Sequence, residues 1–371
     1  MKVAYRVPFV DPRAHYRRLK DEIDDAIHAC LSRGDLILRQ QLRDFEAHLA
    51  QFVGTRYAVG VNSGFHALHF ALIACGVGPG DEVITVAHTF VATISAIVHT
   101  GATPVLVDVG RDYNMDMDAL ERAITPRTRA VIPVHLNGRL CDMDRLMEIA
   151  GRHRLLIIED AAQALGGTFR GRGAGSFGVA GCFSHYPFKV LGGFGDGGTL
   201  TTSDPEIARM ATLLRYNGED RETGEYHCHG YTALLDNVQA AVLDVKLKHL
   251  PAWIEHRRQI ADLYREQLAG IPDLALPHFD GVEYRDTYQN YVVRTGQRDA
   301  LAAFLRQRGV ETLVHWPKPV WEHAGLRLGK WHLPKTEAIC REVLSLPMSA
   351  ETTEEQVAYV TNCIREFFRV R

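Results

Sequence analysis

Residues 155–198 read LLIIEDAAQALGGTFRGRGAGSFGVAGCFSHYPFKVLGGFGDGG. The run opens on four apolar residues and ends them with two carboxylates, Glu159 and Asp160. A short, unbroken apolar run is what a strand buried on both faces needs, so this stretch predicts a parallel strand over 155–159 with acids at its carboxyl end. A single lysine, Lys189, follows in apolar, glycine-rich surroundings. Lysine suits such a setting when it is paired or used covalently, and a Schiff-base lysine needs surroundings that lower its pKa. A carboxylate at a strand end can hold the protonated ring nitrogen of pyridoxal phosphate (PLP), keeping that ring an electron sink. A solvated loop lysine and a helix-capping aspartate fit the same spacing.

Upstream, Tyr57–Val61, Glu82–Val86, Thr103–Val109 and Ala130–His135 are further β-like runs. Helical spacing separates them at Gly64–Ala74, Val91–His99 and Asp142–His153. Strands alternating with helices predict right-handed βαβ units, hence an α/β fold with a mostly parallel sheet sandwiched by helices. Residues 13–51 have helical spacing interrupted near Arg33-Gly34-Asp35. Past Asp236 the texture changes. Asn237–Ala269 reads as one long amphipathic helix, interrupted or kinked at Pro251 and closed by Gly270. Tyr291–Arg294, a helix near Ala300–Arg308 and the Thr352–Arg369 segment suggest a smaller α+β unit. The expected organisation is a large domain, 1–245, with an N-terminal helical segment, and a small C-terminal domain, 246–371.

A chain of 371 residues exceeds what one hydrophobic core usually holds, which agrees with a two-part chain. Lys and Arg number 42 against 45 Asp and Glu, a formal net charge of -3, so charge gives no case for nucleic-acid or anionic-membrane binding. No apolar run approaches the ~18 residues that cross a bilayer. The opening MKVAYRVPFVDPRAHYRRLK is charged throughout and does not read as a signal peptide. Seven scattered cysteines without a CxxC pair fit reduced thiols, and the expected location is cytoplasmic.

Three smaller motifs carry weaker signals. Asn62-Ser63-Gly64 is a polar turn before a helix, which serves either as a phosphate site of backbone N–H groups or as an ordinary N-cap. Residues 193–198, GFGDGG, match G-x-G-x-x-G but precede a β-like TLTT rather than opening a helix, so no dinucleotide site is expected. His227-Cys228-His229 puts neighbouring ligands on opposite faces of an extended chain, and no metal is expected.

The segments NSGFHALHFALIACGVGPGDEVITVAHTFVAT, GATPVLVDV, AVIPVHLNGRLCDMD, IIEDAAQALGG, FSHYPFKVLGGFGDGG and LDNVQAAVLDVKL occur in that order. Together they resemble the DegT/StrS family of nucleotide-sugar aminotransferases, fold-type I PLP enzymes, over nearly the whole chain. The resemblance implies that Lys189 forms the Schiff base with PLP and then shuttles the proton. It implies that Asp160 pairs with the ring nitrogen, that Gln163 lies near the phenolic oxygen and that Phe90 stacks on the ring. Ser184 would bind the phosphate with the backbone at Ser63 and Gly64. The implied donor is glutamate and the acceptor a keto group on a nucleotide-linked sugar. The GDGG version of the lysine segment is similar to members acting at carbon 3, and carbon-4 or cyclitol aminotransferases are the alternative. A non-catalytic PLP-binding regulator is the alternative of another class.

Some positions depart from the family pattern. Phe65 stands where a phosphate-binding threonine is usual, His185 follows Ser184, and Thr232 and Leu234 replace the usual asparagine and basic residue. Asn217 could supply a replacement amide. The resemblance also implies a homodimer with shared active sites, in which the polar 216–231 segment carries Asn217 or Thr232 to the partner's phosphate.

Overall fold

The computed structural model describes residues 5–277 and 281–369. Among these described residues twelve strands form: β1 (Tyr57–Val61), β2 (Glu82–Val86), β3 (Thr103–Val107), β4 (Thr128–Ile132), β5 (Leu156–Asp160), β6 (Thr168–Phe169), β7 (Arg172–Gly173), β8 (Ala180–Ser184), β9 (Gly198–Thr202), β10 (Tyr284–Arg285), β11 (Tyr291–Arg294) and β12 (Val343–Leu346). Seven of them build one sheet in the order β1-β9-β8-β5-β4-β2-β3. The pairs from β8 through β3 are parallel, and β9 alone runs against its neighbours β8 and β1.

Both faces of the sheet are covered. Val83, Ala130, Ile158 and Cys182 enter one apolar cluster, while their chain neighbours Ile84, Val131, Ile157 and Phe183 enter another. That alternation explains why these strands read as continuous apolar runs. Helices Gly64–Ala74, Val91–His99 and Pro205–Leu214 feed the first cluster. Helices Gln40–Val53 and Met143–His153 feed the second.

The predicted helix past Asp236 spans Asn237–Leu268, with Pro251 inside it. Of the expected interruption or kink there, the interruption does not occur: the helix continues, because burial on both sides outweighs the hydrogen bond that proline cannot donate. Leu243, Leu250 and Ile254 lie in the large core, and Ile260, Tyr264 and Leu268 lie in a third cluster with β11 and β12. Val7, bridged to Val310, belongs to that third cluster too, which forms a second core apart from the large one around the sheet. None of the helices among the described residues is long and apolar enough to cross a membrane.

Candidate active site

In an open parallel sheet, ligands bind beyond the carboxyl ends of the strands. The acids come from the end of β5. Glu159 is fully buried and accepts the N–H groups of Gly175 at 2.8 Å, Phe177 at 2.6 Å and Gly178 at 2.7 Å. It also accepts from His135, whose Nδ1 takes the Cys141 N–H at 3.2 Å, so Nε2 carries the proton toward Glu159 at 2.9 Å. Glu159 is thus committed to holding the 175–178 turn.

Asp160 is differently placed. Thr93 Oγ1 donates to Oδ2 at 2.7 Å and the Ala162 N–H to Oδ1 at 3.2 Å. Burial raises its pKa, and the Thr93 bond, the Ala162 N–H and the charges of Lys189 and His135 only oppose that rise. A buried carboxylate in this state gains from one more cationic partner.

Lys189 sits in the turn after β8 and keeps part of its surface open. Burial of the amine lowers its pKa to about 8, opposed by the charge of Asp160. Burial thus moves the lysine toward the free amine that Schiff-base chemistry requires.

Two glycines bring the predicted phosphate-side residues together. A Cβ on Gly64 would stand 3.0 Å from the Ser184 Cβ, and one on Gly198 would collide with the Ser63 carbonyl. Ser63 caps helix Gly64–Ala74, accepting the His66 N–H at 3.2 Å. Ser63, Gly64 and Ser184 thus converge on one helix N-terminus, where backbone N–H groups and the dipole favour a phosphate. The N-cap reading of the turn is observed, and a cap on His66 N–H leaves the other first-turn N–H groups without intrahelical partners.

Phe90 precedes helix Val91–His99 and is 60% exposed, unusual for a large aromatic. One turn later, Thr93 holds Asp160, so this helix start joins the ring to the acid. Phe90 and Trp316 line a cleft of about 550 Å³ with Thr89, Lys318 and His323. A larger cleft of about 650 Å³ at Phe52, Gly166 and Arg172 is lined by none of the predicted site residues, so size alone does not mark the site. Gln163 is fixed by the Asn137 N–H, which donates to its Oε1 at 2.8 Å.

Asn217 and Thr232 form a pair of their own. Thr232 Oγ1 donates to Asn217 Oδ1 at 3.2 Å, both are exposed, and they stand at the root of the 216–232 excursion. That root lies beside the phosphate-side turn, because the Asn62 N–H donates to the Ala233 carbonyl at 3.0 Å. Of the departures from the family pattern, Phe65 stacks on His69 with centroids 5.7 Å apart. His185 turns inward, its ring against the Leu191 carbonyl at 3.1 Å and Thr199 Oγ1 at 2.7 Å. Leu234 bridges Val61.

Four residues escaped the sequence reading. Thr93 orients Asp160, and its only signal was one helical turn from Phe90. Tyr231 donates or accepts at His69 Nε2, 3.0 Å away. Burial and the charge of Lys189 lower the pKa of His315 to about 4, and its Nδ1 lies 2.8 Å from Ser345 Oγ. Trp316 holds φ +53°, a costly conformation for a bulky residue.

The donor set narrows the chemistry. Asp160 suits a protonated ring nitrogen, Lys189 an aldehyde, and the Ser63–Ser184 cradle a phosphate; one molecule, PLP, carries all three groups. The class this sheet and these side chains define is the PLP-dependent aminotransferase. Comparison with known proteins agrees: the chain belongs to the DegT/DnrJ/EryC1/StrS aminotransferase family, whose sequence model matches residues 17–365. A dTDP-3-amino-3,4,6-trideoxy-alpha-D-glucose transaminase of Streptomyces venezuelae is 44% identical over 369 residues, 98% of this chain and 96% of that protein. A UDP-N-acetyl-3-dehydro-alpha-D-glucosamine 3-aminotransferase of Acidithiobacillus ferrooxidans is 42% identical, covering 97% of each chain. The crystal structure of S. venezuelae DesV in complex with a ketimine intermediate superposes with a TM-score of 0.95 at 43% identity, covering 99% of this chain and 100% of that one.

Proposed function

We propose that this protein moves an amino group from glutamate to the carbon-3 keto group of a nucleotide-linked sugar, as a cytoplasmic homodimer with shared active sites. The observation that carries the carbon-3 reading is the agreement of two relatives, each above 40% identity and nearly full length, whose names specify position 3. The two differ in nucleotide, so the reading commits to the sugar position and not to the base.

PLP, when bound, takes the amine from one substrate, yields it to the next and draws off negative charge through its ring. Each of the remaining roles belongs to this chain. Asp160 holds a proton on the ring nitrogen, and Thr93 keeps its carboxylate in place. Lys189 bonds the cofactor and moves the proton at the reacting carbon. Ser63, Gly64 and Ser184 hold the phosphate, Phe90 covers the ring and Gln163 faces the phenolic oxygen. Asn217 and Thr232 serve the partner's phosphate. The dimer reading is supported by Tyr186, Phe188 and Phe194, which the lysine turn leaves 45–48% exposed and which a second copy would cover.

The test is a panel of dTDP- and UDP-linked 3-keto and 4-keto sugars given to the glutamate-loaded enzyme. Return of the cofactor to its aldehyde form is followed by absorbance. Turnover of 3-keto sugars is expected, and Lys189→Ala should lose the borohydride-fixed adduct. Preference for 4-keto sugars overturns the position. Cofactor binding with no turnover of any sugar points instead to the regulatory alternative.

A further inference from the structure

The turn that carries Lys189 is held by side chains from elsewhere in the fold. Gln289, on the approach to β11, is 7% exposed and reaches across the lysine. Its Oε1 accepts the Val190 N–H at 2.9 Å, and its Nε2 donates to the Phe188 carbonyl at 2.9 Å. The two bonds engage the peptide groups on either side of Lys189. The orientation of the amide follows from its partners, since Val190 N–H can only donate and the Phe188 carbonyl can only accept.

Other residues anchor what comes after. Lys246 donates to the Gly192 carbonyl at 2.7 Å, Gln239 accepts the Phe194 N–H at 2.8 Å, and His185 meets the Leu191 carbonyl. Those three fix residues 191–194, and Gln289 takes the lysine itself. Its chain neighbours are fastened too. Asn290 Nδ2 donates to Asn137 Oδ1 at 3.1 Å, and Arg257 donates to the Tyr288 carbonyl at 3.0 Å. Tyr291, two residues on, is buried in the second core against Tyr264.

We propose that Gln289 is a positioning residue that sets the backbone of Lys189, and so the direction of its amine, from the second core. The proposal rests on Lys189 being the cofactor-bearing lysine. Removing Gln289 leaves the Val190 N–H and the Phe188 carbonyl without these partners, and the turn gains freedom about the lysine Cα. The rest of the turn stays tied by Lys246, Gln239 and His185.

The experiment compares wild type, Gln289→Ala, the volume-conserving Gln289→Met and the control Gln239→Ala, all full length with PLP bound. Amide hydrogen exchange is read at Val190 and in β5 and β8. Steady-state constants for the keto sugar are read alongside. With Gln289→Met, exchange at Val190 should rise about tenfold, the expected effect of losing one buried hydrogen bond, while β5 and β8 change little. The kcat should fall with KM for the keto sugar held, because the amine is misdirected while the sugar site is intact. Gln239→Ala should speed exchange at Phe194 and leave Val190 protected. Unchanged Val190 exchange in both Gln289 variants overturns the proposal. So does a rise spread over the whole sheet, which would mark Gln289 as a general stabilising contact. Borohydride reduction separates this from the functional reading: an adduct on another lysine sinks that reading, whatever Val190 does.

Discussion

Asp160 holds its charge in a place that resists it. Thr93 and the Ala162 N–H contribute hydrogen bonds, yet burial still leaves the acid's pKa raised. An acid in that condition binds a protonated ring nitrogen more firmly than a solvated one would, because little water competes. Asp160→Asn keeps the shape and can keep the Ala162 N–H bond on its one oxygen, turns the Thr93 contact round so that Nδ2 donates to the hydroxyl, and removes the charge. It should leave the fold and cofactor binding intact and slow amino transfer by about 10²–10³-fold, the usual loss when a preorganised electrostatic partner goes. Single-turnover absorbance with glutamate reads this directly, and an unchanged rate would remove Asp160 from the proposed role. For Asp160 and Lys189 the spacing alone fitted a capping aspartate and a loop lysine equally, and their expected roles came from the family resemblance of the segments that carry them. Thr93, His315 and Gln289 were not legible in the sequence. Their residue types are common, and what distinguishes them is a hydrogen bond across 67 or 99 positions for Thr93 and Gln289, and the charge of a residue 126 positions away for His315, which spacing does not encode.

Helix Asn237–Leu268 clasps the lysine turn through Lys246, which is 3% exposed, with its ammonium bonded to Gly192 and 4.4 Å from the Phe194 ring centroid. Burial lowers its pKa from 10.5 to about 8, against the charge of Glu351. The sign follows. Below pH 8 the amine is charged in both folded and unfolded states, and burying it costs stability. Between 8 and 10.5 the folded state releases the proton that the unfolded state keeps, so stability rises with pH. Lys246→Met removes that cost, so its stability relative to wild type should be greatest below pH 8 and shrink toward pH 10.5. Urea unfolding at pH 7 and pH 10 checks it, and an advantage that grows with pH refutes the assignment. Elements of this kind were unevenly visible in the sequence. Strands β2 and β5 and helices Gly64–Ala74 and Val91–His99 were readable because their apolar runs are long and capped. β8, AGCFS, was hidden by small residues that carry little pattern. At Pro251 the local rule for proline allowed an interruption or a kink, and no interruption occurs because the helix enters two cores.

At the scale of the whole molecule, the proposed dimer makes a reciprocal demand. With a two-fold axis, the 216–232 excursion of each copy serves the other's phosphate, so one substitution damages both sites. Mixing Lys189→Ala with Asn217→Ala/Thr232→Ala chains, each inactive alone, should therefore restore one working site in each hybrid. Absence of recovery from hybrids shown to have formed, or a fully active monomer by light scattering, rules out sharing. The single sheet covered by helices on both faces was foreseeable from alternation alone. The meeting of Ser63, Gly64 and Ser184 at one helix end was expected only from the family resemblance, since it depends on the reversed strand β9, which alternation does not encode. That strand has a further consequence, in time. β1 lies at the sheet edge and pairs along its length with β9 alone, Val61 opposite Gly198. As a ribosome releases the chain, β2, β4 and β5 can pair while β1 waits for Gly198 to emerge. The phosphate end of the cleft is then among the last parts of the large core to close, after the lysine itself has left the exit tunnel.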